Sequence, residues 1–190
     1  PLRSSQIGAA FRSQHHHRAY TFGFDGGYAS GDRAPGFGAN PAPHQSNAAM
    51  PGDLDGPQAT LPGDSTINNF RFHPDYRIDR ILYHEIIGAI TDAIYLRPHL
   101  NYEILNIAHG SLNAHIAGIV SWAAMAESTP GGERYLGFEV DPSIHYETRD
   151  GLRFSLEYAI FLPGPGFNNR ATGQSPRIAQ LIRTRIGYFF

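Results

Sequence analysis

The stretch Leu152-Arg153-Phe154-Ser155-Leu156-Glu157-Tyr158-Ala159-Ile160-Phe161-Leu162 decides the fold. Its period of two puts Leu152, Phe154, Leu156, Tyr158, Ile160 and Leu162 on one face of a strand, and Arg153, Ser155 and Glu157 on the other. Working upstream, Leu136, Phe138, Val140, Ile144 and Tyr146 alternate with Glu139, Asp141, Ser143, His145 and Glu147. Arg149-Asp150-Gly151 between the two segments reads as a short hairpin turn. Downstream, Ile178, Ile182, Ile186, Tyr188 and Phe190 oppose Ala179, Arg183, Arg185 and Gly187.

The same alternation runs through the middle of the chain. Leu112, Ala114, Ile116, Val120 and Trp122 alternate with Asn113, His115, Ala117 and Ser121, and before them Ile94, Leu96, Leu100, Tyr102 and Ile104 alternate with Arg97, His99, Asn101 and Glu103. Tyr20, Phe22, Phe24 and Tyr28 continue the pattern, and a weaker strand around residues 6–12 precedes them across His15-His16-His17, which reads as a turn. The count is about seven strands, all expected to pair antiparallel.

Composition supports an all-β chain and removes several functions. The 190 residues include 21 Gly, 14 Pro, 12 Phe and 10 Tyr, rich in turn formers and aromatics. With Lys+Arg 15 against Asp+Glu 17 the formal charge is −2, so a general nucleic-acid-binding surface is disfavoured. Every one of those cations is Arg, which reads as genome bias before function. The absence of cysteine excludes disulfides, thiolate metal sites and Cys nucleophiles. The longest run free of charged, amide or His residues is roughly Ile116 to Ala126, too short for a helical membrane span of ~20 residues. Pro1-Leu2-Arg3-Ser4-Ser5 lacks the features of a signal peptide, so the chain is expected to be a processed product or part of something longer.

Alternation alone does not separate a soluble sandwich from a membrane barrel. Three further features favour the barrel. Short links near 13–17, 107–111 and 149–151 alternate with long ones near 31–90, 126–134 and 163–177, the asymmetry of outer-membrane barrels. The strands run to about 11–13 residues, nearer a tilted membrane strand than a soluble one. Tyr, Trp and Phe collect near strand ends, as interfacial girdles require.

Two resemblances sharpen this. The C-terminal strand, with Ile182, Ile186 and Tyr188 leading to the terminal Phe190, resembles the insertion signal of bacterial outer-membrane β-barrel proteins. That implies a periplasmic C-terminus and delivery to the barrel assembly machinery. Tyr28-Ala29-Ser30-Gly31-Asp32 is similar to the strand-to-loop signature of alginate-export-type barrels. The stretch from Ile67 to Tyr76, followed by Asp79 to Leu96, resembles a related group of barrels of unassigned function. Single-chain bacterial barrels have an even strand number of at least eight. Residues 1–190 are therefore expected to form a single segment, the C-terminal portion of a larger transmembrane barrel, with the remaining strands on another segment or chain.

With the apolar face in lipid, the charged face lines the interior. The pore-lining candidates are Arg97, His99, Glu103, His115, Glu139, Asp141, His145, Glu147, Arg153, Glu157, Arg183 and Arg185. This mixed wall departs from the basic lining that a polyanion exporter requires. Residues 31–90 form a long extracellular or plug-like loop, irregular in its first half. In its second half Ile78, Ile81, Leu82, Glu85, Ile86 and Ala89 have helical spacing, and Asp79 to Ile90 is expected as a short helix, with a strand and a turn at Gly88 as the other reading. Asp53 and Asp55 are weak Ca²⁺ candidates without the full spacing of a calcium loop; no other metal, no cofactor and no catalytic constellation is expected. The expected function is outer-membrane passage of a hydrophilic solute; the competing expectation is a structural or adhesive barrel with a filled interior and a partner-binding loop.

Overall fold

The computed structural model describes residues 3–34, 36–37 and 66–190. Seven strands make one antiparallel sheet: β1 (Gly8–His17), β2 (Tyr20–Ala29), β3 (Ala93–Ile107), β4 (Gly110–Ala123), β5 (Tyr135–Thr148), β6 (Leu152–Pro163) and β7 (Ala179–Tyr188). Each pairs with its neighbour in sequence, a simple meander. The sheet is open, with β1 and β7 as its two edges. A two-residue parallel pairing of Arg3–Ser4 with Thr66–Ile67 lies beside it. Among the described residues no helix is long and apolar enough to cross a membrane.

The connections sort by length onto the two ends of the sheet. Links 18–19, 108–109 and 149–151 are tight, whereas 30–92, 124–134 and 164–178 are long. Gly151 makes one tight turn possible. Its φ is +96°, and a Cβ there would lie 1.9 Å from the Phe189 carbonyl oxygen, so the close tie of the C-terminal end to this hairpin requires glycine.

Two local expectations are corrected. His15-His16-His17 are not a turn: they finish β1, paired with Phe22, Thr21 and Tyr20, and the chain reverses at Arg18, whose φ is +54°. The backbone ladder extends β1 past the point where its apolar alternation fades. The helix expected over 79–90 shrinks to one π-helical turn, Leu82–Ile86. Ile78, Ile81, Leu82, Tyr83 and Ile90 are all buried, so the helical spacing was not one stripe facing a core. Gly88, at φ +83°, ends the turn.

The two faces of the sheet differ in polarity and in cover. One face is bare and apolar: Phe22, Leu96, Ile116, Ile144, Leu156 and Leu162 stand exposed on it, and Ile182 and Ile186 are each 74% exposed. The other face is covered and carries charge: Asp25, His99, Glu139, Asp141 and Glu157 are buried there. What covers it is the 68–92 segment. Phe72 stacks on Tyr76 at 4.8 Å, the Tyr76 and Tyr95 hydroxyls are 2.7 Å apart, and Ile81, Leu82 and Tyr83 pack with Tyr95, Ile119 and Phe161. This small core sits toward the long-connection end. Toward the tight turns the same face is open, with Glu103, Glu147 and Arg185 exposed.

Prolines interrupt two interior ladders. The β3–β4 register skips 97–98 and the β5–β6 register skips 141–142, because Pro98 and Pro142 have no N–H to donate.

Candidate functional site

The covered face is built as rows of charge across the strands. Pairing brings Arg12 opposite Asp25 and Asp25 opposite Arg97, then Ile119 opposite Glu139, and finally Glu157 opposite Arg183. In the first row Asp25 accepts a hydrogen bond from Arg97 Nη1 at 2.7 Å and lies 3.7 Å from His99 Nε2 and 3.9 Å from Arg12 Nε. Arg12 also sits over the Tyr76 ring, 5.0 Å from its centroid, which ties the edge strand to the covering segment.

Glu139 is the anchor of that segment. Its side chain is fully buried, and it accepts three backbone N–H groups: Arg80 at 2.9 Å and Ile81 at 2.7 Å on Oε1, and Leu82 at 2.9 Å on Oε2. These are the donors that the start of the π-turn leaves without partners, so a strand carboxylate supplies the cap from across the fold. Asp79 caps the same turn locally by accepting the Tyr83 N–H. Burial first, and the nearby Glu139 charge second, push the Asp79 carboxyl up to about 7. Burial likewise pushes the Tyr83 hydroxyl up.

A second set of ion pairs holds the far side. Glu157 faces Arg80 Nε at 3.4 Å, Arg183 Nη1 at 3.8 Å and Arg185 Nη1 at 3.9 Å, and Arg183 Nη2 donates to Glu85 at 3.0 Å. Arg77 Nη1 lies 2.9 Å from His84 Nε2; burial and then Arg77 lower the His84 pKa. Contacts from the covering segment thus reach both edge strands.

The predicted pore-lining residues fall into two groups. Arg97, His99, His115, Glu139, Asp141 and Glu157 lie in the half that the segment covers, and Glu139, with no exposure, is a structural ligand of that segment and faces no open space. Glu103, His145, Glu147, Arg153 and Arg185 lie in the open half, where Arg153 pairs with Glu147 at 2.8 Å. Arg183 stands between the groups. Ile182, Ile186 and Tyr188 project from β7 on the bare face, and the Tyr188 and Phe190 rings are 6.2 Å apart. Asp53 and Asp55 lie outside the described residues, and among those described no group of three or more His, Asp or Glu is placed to hold a metal ion. The pattern did not single out Arg12 or Arg80, and it gave Asp79 and Glu85 only as parts of an expected helix. Arg12 belongs to a strand whose alternation is weak, and the others sit in a segment without β periodicity.

Asp92 forms a separate buried knot at the base of the long connections. It is fully buried, with φ +47°, and accepts the Met125 N–H at 2.8 Å and the Ser128 hydroxyl. Gly31 makes room for it, since a Cβ there would meet Asp92 Oδ1 at 1.7 Å. Burial, against the lowering effect of Ser128, pushes the carboxyl from 3.8 to about 7. Between these values the native protein holds a proton that the unfolded chain has lost, so this group makes stability fall as pH rises from about 4 to about 7. A melting series over that range should show the fall, and Asp92→Asn should reduce its slope while Asp79, pushed up to the same value, keeps its own share. A flat wild-type series would contradict it.

No protein-family model matches this chain, and no curated protein and no solved structure matches it.

Proposed function

We propose that this chain is part of a transmembrane β-barrel of the bacterial outer membrane, through which a hydrophilic solute passes along the charged face, narrowed by residues 68–92. The observation that carries the reading is the inverted polarity of the sheet, with charge under cover and long apolar side chains bare. Hydrocarbon is the surrounding in which that arrangement is favourable. The alternation of tight and long links supports the same reading, in which Tyr188 and Phe190 lie at the tight-turn end, the end that faces the periplasm in such barrels. In this reading Ile182, Ile186, Tyr188 and Phe190 are the signal presented to the barrel assembly machinery. The resemblance to alginate-export-type barrels concerns class only, since the covered face mixes both signs of charge.

Strand direction defines the partner. In an antiparallel meander of seven, β1 and β7 run the same way, so they do not close on each other in an antiparallel ladder. A second copy in the same orientation meets the same obstacle. The missing strands are therefore an odd number, from another segment or chain, the one beside β1 running antiparallel to it.

The test is single-channel conductance, with reversal potential under a salt gradient, on the intact complex in detergent with the chains that accompany this one. Steady but small conductance with ion preference is expected, and Arg183→Glu with Arg185→Glu should shift the reversal potential toward cation preference. A consistently silent complex would sink the channel reading. It would favour a structural or adhesive barrel whose long loop binds a partner, a reading that the burial of Glu139 and the ion pairs around Glu157 supports. Neither reading needs a cofactor or a catalytic group.

A further inference from the structure

We propose that each open edge of the sheet docks a partner β-strand that carries a carboxylate on the side continuous with the covered face: one opposite Arg12 of β1, the other opposite Arg183 and Arg185 of β7. The inference rests on the reading of the sheet as part of a closed wall and adds the chemistry of the strands that complete it. Charge on the covered face is sorted by strand. The acids Asp25, Glu103, Glu139, Asp141, Glu147 and Glu157 all stand on strands inside the sheet. The edge strands bear cations alone: Arg12 on β1, and Arg183 and Arg185 on β7. Where charges face each other directly across the ladders, the sign alternates, Arg12 with Asp25, Asp25 with Arg97, Glu147 with Arg153 and Glu157 with Arg183. Opposite charges across a strand pair are stabilising and like charges are not, so the same rule carried one strand outward calls for an acid at both edges.

The acids within reach of the edge cations are already shared. Asp25 accepts a hydrogen bond from Arg97 at 2.7 Å, whereas Arg12 approaches it only to 3.9 Å. Glu157 has Arg80 at 3.4 Å and Arg183 at 3.8 Å, and Arg185 stands at 3.9 Å. The Arg12 and Arg185 side chains remain 56% and 61% exposed, and a guanidinium, with five N–H donors, can take a second carboxylate. The backbone of both edges is ready to pair. Strands β1 and β7 are each ten residues long and lack proline, and their ladders with β2 and β6 run without a bulge. Each therefore presents an unbroken outer row of N–H and C=O groups. A second copy of this chain does not supply the acid, since its own edges offer cations alone.

The chain contains no lysine, which makes a cross-linking test selective. Arg12→Lys and Arg185→Lys keep the charge and each place one side-chain amine at an edge. A water-soluble carbodiimide, added to the intact complex in detergent, joins that amine to a carboxylate in contact with it; an amide forms, and the reagent takes up the water and leaves as a urea. Mass mapping is expected to find residue 12, and separately residue 185, joined to an Asp or Glu of a strand outside residues 1–190. The yield should be about fivefold that of Ser13→Lys, whose amine stands on the bare face. Gln14→Lys and Arg183→Lys, on the covered face of the same two strands, carry the test if either first variant does not assemble. Amides to Asp25 or Glu157 alone would overturn the proposal and leave the edge cations as guards against pairing. An equal yield from Ser13→Lys would also overturn it, because the acid would then not lie on the covered side. A silent complex that gives the outside link removes the channel and keeps the acidic strands. A conducting complex with internal links alone does the reverse.

Discussion

Replacing Glu139 with alanine is expected to free residues 77–87 from the sheet while the seven strands stay paired. The carboxylate accepts the backbone N–H groups of Arg80, Ile81 and Leu82, and it is fully buried. Its removal leaves three donors without an acceptor in a site from which water is largely excluded. Removing one partner of a buried charged network costs about 3–5 kcal/mol. The ion pairs that remain, Arg80 with Glu157 and Arg183 with Glu85, are longer or more exposed and do not replace that amount. Trypsin is then expected to cut after Arg77 and Arg80 far faster than in the wild type, and the conductance of the complex should rise severalfold. Glu139→Gln keeps one acceptor oxygen but turns an amide N–H₂ toward a backbone donor, so about half of the effect is expected. Unchanged protease resistance in Glu139→Ala would show that apolar packing of Ile81, Leu82 and Tyr83 is sufficient to hold the segment.

Much of this architecture is legible in the sequence because a strand writes its two faces at alternate positions. Leu152 to Leu162 shows both faces, and its hairpin partner and β7 follow from the same period. The direction of the polarity is harder to read. Phe154 and Leu156 are equally apolar in a sandwich core and in a lipid-facing wall, and the link lengths and strand lengths had to decide between them. Legibility fails where structure depends on contacts distant in sequence. Glu139 looks like any other polar residue of β5, yet its partners are 57 to 59 positions away, in a segment whose own pattern suggests a helix. Ile78, Ile81, Leu82, Tyr83 and Ile90 of that segment are buried on more than one side, with Asp79 and Arg80 held among them by hydrogen bonds and an ion pair. Periodicity then reports burial without reporting shape. The hairpin at Arg18 was misplaced for a related reason: β1 is an edge strand exposed on both faces, so its last residues carry no apolar signal.

Ile116→Arg should separate a membrane sheet from a water-exposed one, because the two predict effects of different size and direction. Ile116 lies near the middle of β4, 47% exposed on the bare face, paired with Leu100 and Pro142. In a bilayer that position is close to the midplane, where an Arg on the lipid face of a barrel costs about 2–4 kcal/mol. In water the same substitution on an exposed strand falls within about 0.5 kcal/mol, and it improves solubility by breaking an apolar patch. The intact complex refolded into phosphatidylcholine vesicles across a urea series should therefore show a much smaller inserted fraction for Ile116→Arg than for wild type. Asn113→Arg supplies the control, since Asn113 projects from the opposite face of the same strand, in the half that the segment leaves open, and a charge there is expected to leave insertion unchanged. If the two variants behave alike, the bare face does not lie in lipid. The channel reading would fall with it, and a partner of apolar chemistry would have to cover Phe22, Leu96, Ile116, Ile144 and Leu156, because water alone does not favour so large an apolar surface.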